Sequence, residues 1–434
     1  MQGLRALGWW AGMALAVVAA GAGGAVIGTN TPAQSLTRER IEPLPVRERG
    51  AWLEYLQRSE RQRRADQDFF AAELKRSGLP APIEPPHGFS ARSIPLDREA
   101  AWYSSAEARH IADVIVSFQT PAGGWGKNLD MSGEARRAGE RFGPNNLSRF
   151  LEPGDYDTPR DPDWNYIGTI DNDATTTQLR FLAKAAGAPG AKDGSAYAAS
   201  FKRGILYLLQ AQFPNGGWPQ VWPLEGGYHD AITYNDDAMT QVVDLLWHTA
   251  EGRDEYGFVP QALRKKARAS FERGIRCILA TQIRDRGVLT VWPQQDDPLT
   301  MQPESARNFE PPAECASESA AILLLLMDDL PRATMAERTS IDSAVAWLRK
   351  TAIYGEAWTR TPDGRELVAT SGGGPLWARF YEIGTERPIF VDRDKTIHDR
   401  VSELSRERRN GYAWYSAEPQ AALDRFAEWK QAQR

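Results

Sequence analysis

The chain has 434 residues, 42% of them hydrophobic, and is long enough to bury a large core. Its formal net charge of −5 excludes the broad basic face that a nucleic-acid binder or a protein held electrostatically on an anionic membrane requires. With only Cys277 and Cys315 present, no disulfide framework organises the fold, and one bridge is the most it can form.

Arg5 precedes an uncharged run from Ala6 to Thr37, with an apolar centre at Trp9 to Val18 and small residues at Ala20, Gly21 and Ala22. A positive head, an apolar middle and a small-residue exit predict an export signal over residues 1–28, and hence a secreted or periplasmic protein. If uncleaved, Trp9 to Ile27 is about long enough to anchor the chain in a bilayer; no other membrane contact is expected. Residues 29–92 read as a charged extension. In it Trp52, Leu53, Tyr55, Leu56, Phe69, Phe70 and Leu74 share a helical face, and Pro80, Pro82, Pro85 and Pro86 then break any regular element. The main domain is set at 93–434, and a monomer is expected.

From there helices succeed one another. Ser105 is placed to cap a helix whose Ala108, Ile111, Ala112, Ile115 and Phe118 form one stripe, and the period returns in Leu179, Leu182, Ala183 and Ala186. Further stripes follow around Phe201 to Leu209, Met239 to Trp247, Leu263 to Ile278, Ile322 to Met327 and Ile341 to Leu348. Strand-like alternation is confined to short pieces at Val288 to Val291 and Arg387 to Val391. The fold class is therefore all-α, built of paired antiparallel helices around a common core.

A repeat supports the pairing. Gln119, Gly123 and Trp125 recur as Gln212, Gly216 and Trp218, each set just after an apolar helix, and Gln282 leads to Trp292 by a longer path. Gly turns the backbone, Trp packs the turn and Gln can bind carbonyls freed at the helix end.

Between Gly126 and Ile170 lies a long segment nearly free of helix, a length that usually carries function. It ends at Asp171, Asn172 and Asp173, and the same acid and amide chemistry returns at Asn235, Asp236 and Asp237 before another helix. Two readings stand: caps for the helix amides, or oxygens directed into one space to hold a hard cation such as Ca2+ or Mg2+. His87, His110, His229, His248 and His398 are scattered and fit no catalytic motif.

The C-terminal stretch is the most specific. Trp377, Arg379, Tyr381 and Glu382 lead to Asp392, Arg393 and Asp394, and then to Arg408, Asn410 and Trp414. With the segments 119–128, 169–175, 218–239 and 292–310, it resembles the pectate lyases of polysaccharide lyase family 10. The likeness covers most of the chain after about residue 93, and Lys395 stands where glycine is expected. The resemblance implies an (α/α) toroid with an open cleft and Ca2+-dependent anti-β-elimination of polygalacturonate, an acidic polysaccharide. By position Arg393 looks like the base that removes the C5 proton, and Arg379 like a carboxylate-binding partner. Asp171, Asn172 and Asp236 look like cation ligands, while Lys127, Gln294, Gln295, Arg307 and Glu310 stand in matching cleft segments. Two alternatives from other classes are an inverting glycoside hydrolase using Asp171 and Asp236, and a carbohydrate-binding envelope protein without turnover.

Overall fold

The computed structural model describes residues 26–190, 196–328 and 333–432. The expected export segment lies outside the described residues except for Val26 to Gly28, which belong to a strand, Val26–Thr29. Among the described residues no helix is long and apolar enough to cross a membrane.

The apolar stripes become the buried faces of helices. Ser105 caps Ala106–Ser117 by accepting from the Ala108 amide at 3.1 Å, and Ala108, Ile111, Ala112 and Ile115 are buried behind it. Thr176–Gly187 packs on Ala196–Ala211, and Ala238–Glu251 on Gln261–Thr281. Ala316–Asp328 packs on both Met335–Thr351 and Pro419–Ala432. These hairpins stand side by side around one hydrophobic core reaching from Leu36 to Trp429, which makes the molecule a helical toroid.

The extension is packed into that ring. Val46–Ser77 is a single helix of 32 residues, roughly 48 Å long at 1.5 Å per residue. Tyr55 packs on Phe213 at 5.0 Å and donates its hydroxyl to the Ala211 carbonyl at 2.9 Å, while Phe70 meets Phe142 and Trp164. Trp52, Tyr55 and Ile41 belong to the same core as the later helices, so burial runs across residue 93 without a break.

Short strands close one side. Val26–Thr29, Thr396–His398, Pro388–Val391, Phe380–Tyr381 and Glu314–Cys315 pair antiparallel in that order, with Phe390 opposite His398 and Phe380 opposite Ile389. A separate hairpin joins Glu356–Thr361 to Gly364–Ala369. Its half-exposed, charge-rich strands carry little apolar alternation, which is why the sequence did not announce them. Cys277 and Cys315 are buried and unbridged.

The repeated turn is what orders the hairpins. The Gln119 amide donates to the Gly123 carbonyl at 2.8 Å and to the Ser200 carbonyl of Ala196–Ala211, two helices on, at 2.9 Å. Gln212 does the same to Gly216 and Ser270 at 2.9 and 3.0 Å, and Gln282 to Thr290 and Ser340 at 2.9 and 3.1 Å. The looser third path thus ends in the same bonds. Gly216 has φ 102°, and a Cβ there would lie 2.3 Å from the Arg273 carbonyl oxygen, so only glycine fits. Gln212→Ala removes both donations inside the core and also the Oε1 that accepts from the Ser270 hydroxyl and the Arg273 guanidinium. The expected loss is about 3 kcal/mol by urea denaturation, and an unchanged midpoint would show the turn to be dispensable.

Candidate active site

Two turns of nearly identical backbone build the centre of the site. Asn172 and Asp173 have φ of 50° and 59°, and Asp236 and Asp237 have φ of 49° and 59°. All four are left-handed, a conformation that Asn and Asp tolerate better than other L residues. Neither turn caps its helix: no side-chain cap bond forms at the start of Thr176–Gly187 or of Ala238–Glu251. The acid and amide groups are spent on the groove instead. Asp171 accepts from the Lys127 ammonium at 2.6 Å and from the Gln220 amide at 3.0 Å. In the matching place Asn235 Oδ1 accepts from Gln294 at 2.5 Å and from Arg379 at 3.1 Å.

Those bonds fix the amide orientations. Arg379 can only donate, so Asn235 presents its oxygen, Gln294 its nitrogen, and Gln294 Oε1 is left over. Gln220, Gln294 and Gln295 each keep a buried Oε1 without a hydrogen-bond partner. All three line a central cavity of ~70 Å³ with Lys127, Tyr166, Asp171, Asn172, Asp236, Arg307 and Glu310. That volume suits an ion with a water or two but no sugar ring. Its oxygens are those a hard cation prefers, and neither histidine nor thiolate is among them. Among the described residues no group of three or more His, Cys, Asp or Glu could hold a metal, so the amide oxygens are indispensable to any such site.

The charges around the cavity are paired. Arg307 bonds Glu310 through Nε at 2.9 Å and Nη2 at 2.5 Å. Burial raises the Glu310 carboxyl, but the Arg307 charge and bonds outweigh it and hold it down at about 2. Glu310 in turn keeps Arg307 protonated against its own desolvation. Although 43% of the Asp236 side chain is exposed, crowding by protein and then the Asp171 charge push its carboxyl upward. Arg379 is held by Glu318 at 2.6 Å and stands 3.9 Å from Asp236.

The groove continues on both sides. One flank, of ~290 Å³, shares Lys127, Tyr166 and Arg307 with the centre and adds Asn146, Asp155, Arg393, Arg408 and Tyr412. The other, of ~520 Å³, shares Asp236 and adds Asp237, Glu318 and Arg379. Arg393 pairs with Glu407 at 2.7 Å and lies over the Phe150 ring at 4.1 Å. Lys395 adopts φ 75°, so the position is indeed one that favours glycine.

The family model of pectic acid lyases matches residues 119–423, well over half of the chain. The chain belongs to the pectic acid lyase family. It is similar to the family 10 polysaccharide lyase from Cellvibrio cellulosa at 27% identity and a TM-score of 0.64, covering 80% of this chain and 99% of that one. A point mutant of the same enzyme in complex with trigalacturonic acid gives the same identity and score, over 78% and 97%. No curated protein matches. The lyase therefore is a polysaccharide lyase on a helical toroid.

Of the site residues expected from sequence, Lys127, Asp171, Asn172, Asp236, Gln294, Gln295, Arg307 and Glu310 share the central cavity; Arg379 and Arg393 stand on opposite flanks. Sequence reasoning missed Gln220, Tyr166 and Tyr228, which line the central cavity, and Glu318 on the flank. Gln220 was findable, because it follows Trp218 by two residues as Lys127 follows Trp125. Glu310→Gln leaves Arg307 with an unpaired charge, partly relieved because 35% of the arginine faces the groove. Because the Glu310 pKa is depressed, its stabilisation is present above the ordinary carboxylate range and lost as pH falls toward about 2. The variant should lose ~2 kcal/mol at pH 7 and show a flatter acid limb in denaturation; equal stability at pH 7 would refute the pairing argument.

Proposed function

We propose that this lyase cleaves polygalacturonate by Ca2+-dependent anti-β-elimination with an arginine as base. The observation that carries the reading is one groove in which unpartnered amide oxygens meet the Asp171 and Asp236 carboxylates and the basic side chains of Lys127, Arg307, Arg379, Arg393 and Arg408. The residues present fit a hard cation: Asp171, Asn172 and Asp236 would hold it, with the Gln220, Gln294 and Gln295 oxygens at hand. When bound, Ca2+ supplies charge neutralisation at the uronate carboxylate, which makes the neighbouring C5 proton easier to remove.

The chain's own groups do the rest. Lys127 and Arg379 bracket the centre and suit carboxylates on adjoining sugars. A base takes the C5 proton, the C4–O4 bond breaks with its electrons going to O4, O4 gains a proton, and a C4=C5 double bond remains. Arg393 was the base expected from sequence, but it lines the flank, whereas Arg307 shares the central cavity with the cation donors. We therefore give proton abstraction to Arg307 and carboxylate binding to Arg393. A guanidinium acts as base only when neutral, and Glu310 opposes that state, so the rate should rise toward alkaline pH. Export through residues 1–28 would bring the lyase to its extracellular substrate.

Purified protein with polygalacturonate should release unsaturated, ultraviolet-absorbing product, and a chelator should stop it. Saturated product would instead favour the inverting hydrolase, and binding without product the carbohydrate-binding alternative. Arg307→Ala should lower kcat by about three orders of magnitude in a protein that still folds though destabilised by the unpaired Glu310, and Arg393→Ala should chiefly raise KM. The opposite division of effects would return the base role to Arg393.

A further inference from the structure

We propose that Asn30, in the amino-terminal segment, is a positioning residue that ties together the three loops presenting the groove. The proposal rests on the reading of the groove as a lyase site. Asn30 is 3% exposed, and it lies outside the residues 119–423 that the family model covers. Its side-chain amide donates to the carbonyls of Arg307, Asn308 and Glu310 at 3.2, 3.1 and 3.3 Å. That fan of bonds holds the turn from which both Arg307 and Glu310 project. Its backbone N–H donates to the Lys395 carbonyl at 2.8 Å, on the hairpin that carries Arg393. Its backbone carbonyl accepts from the Tyr156 hydroxyl at 2.8 Å, on the loop that brings Asp155 and Asp157 to the flank.

Neighbouring bonds hold Asn30 in that place. Thr29 pairs with Thr396, Ser305 donates to the Thr31 carbonyl, and the backbone N–H of Gln34 donates to Glu304 at 2.8 Å. Asn308 completes the tie by donating to the Arg393 carbonyl at 2.9 Å and accepting from the Tyr156 amide at 2.9 Å. The requirement at residue 30 is chemical as well as spatial. The Arg307 and Glu310 carbonyls also accept from the Glu310 and Ala306 amides, but all three converging oxygens face residue 30, where the two N–H bonds of Asn are attracted and an ionised Asp of the same shape is repelled. The Asn30 Oδ1 is buried without a partner, so the side chain is oriented by what its nitrogen binds.

The test uses the full chain with Asn30→Ala, Asn30→Asp and Tyr156→Phe. Hydrogen exchange over residues 303–311 and 392–397 should accelerate about tenfold in Asn30→Ala and more in Asn30→Asp, while the helices keep their protection. With polygalacturonate, kcat should fall about tenfold to a hundredfold and KM should stay within about twofold, since a small misplacement of the reacting groups suffices. Tyr156→Phe removes one tie only and should loosen residues 154–158 in a folded protein, so the proposal stays testable even if the Asn30 variants fold poorly. Exchange and kcat of Asn30→Asp within about twofold of the wild type would overturn the proposal, as would Tyr156→Phe without local loosening. Absence of cleavage by the wild type would overturn the lyase reading instead, and the exchange data would still decide the tie.

Discussion

Four buried indoles set the geometry on which the groove depends. Trp125, Trp218, Trp292 and Trp377 each donate Nε1–H to a carbonyl near the end of the preceding helix: Ile115 at 2.7 Å, Leu208 at 2.8 Å, Ile278 at 2.6 Å and Leu348 at 2.8 Å. All four are among the largest fully buried side chains. An indole satisfied in this way leaves its own backbone little freedom, because its ring is packed on every side and its one polar atom is committed. The residue two places further on is then directed to the groove, and those residues are Lys127, Gln220, Gln294 and Arg379. An acid and an amide complete the pattern. Asp171 bridges Lys127 and Gln220, and Asn235 bridges Gln294 and Arg379.

The basic groups are not held in reserve as free charges. Lys127 pairs with Asp171, Arg307 with Glu310, Arg379 with Glu318 and Arg393 with Glu407. In a protein of net negative charge such pairing lets several cations share a small space without expelling one another. It also means that an acidic ligand entering the groove would meet these bases already paired, and would compete with their resident carboxylates. Competition of this kind favours selectivity for anions of the right spacing over raw affinity.

Much of this was readable in the sequence because it rests on periodicity. The apolar stripes gave the helices, the Gln and Trp repeat gave their pairing, and the two acid turns gave the centre of the groove. What escaped was non-local. Nothing near Glu318 says that Arg379, 61 residues away, will bond it. Asn30 and the 307–310 turn likewise lie some 280 residues apart. The acids at 171–173 and 235–237 read equally as helix caps, and only the absence of cap bonds and the contacts of Asp171 and Asn235 show that they turn to the groove. Arg393 stood out for its motif, while Arg307, less conspicuous in sequence, is the one that lines the central cavity.

Because the indole turns hold the scaffold and the second residue after each faces the groove, structure and chemistry are recorded at separate addresses. A sequence can rewrite Gln220 or Gln294 without disturbing the packing that Trp218 or Trp292 enforces. The toroid therefore offers a four-position register along the groove, a natural starting point for designing groove variants that keep one common body.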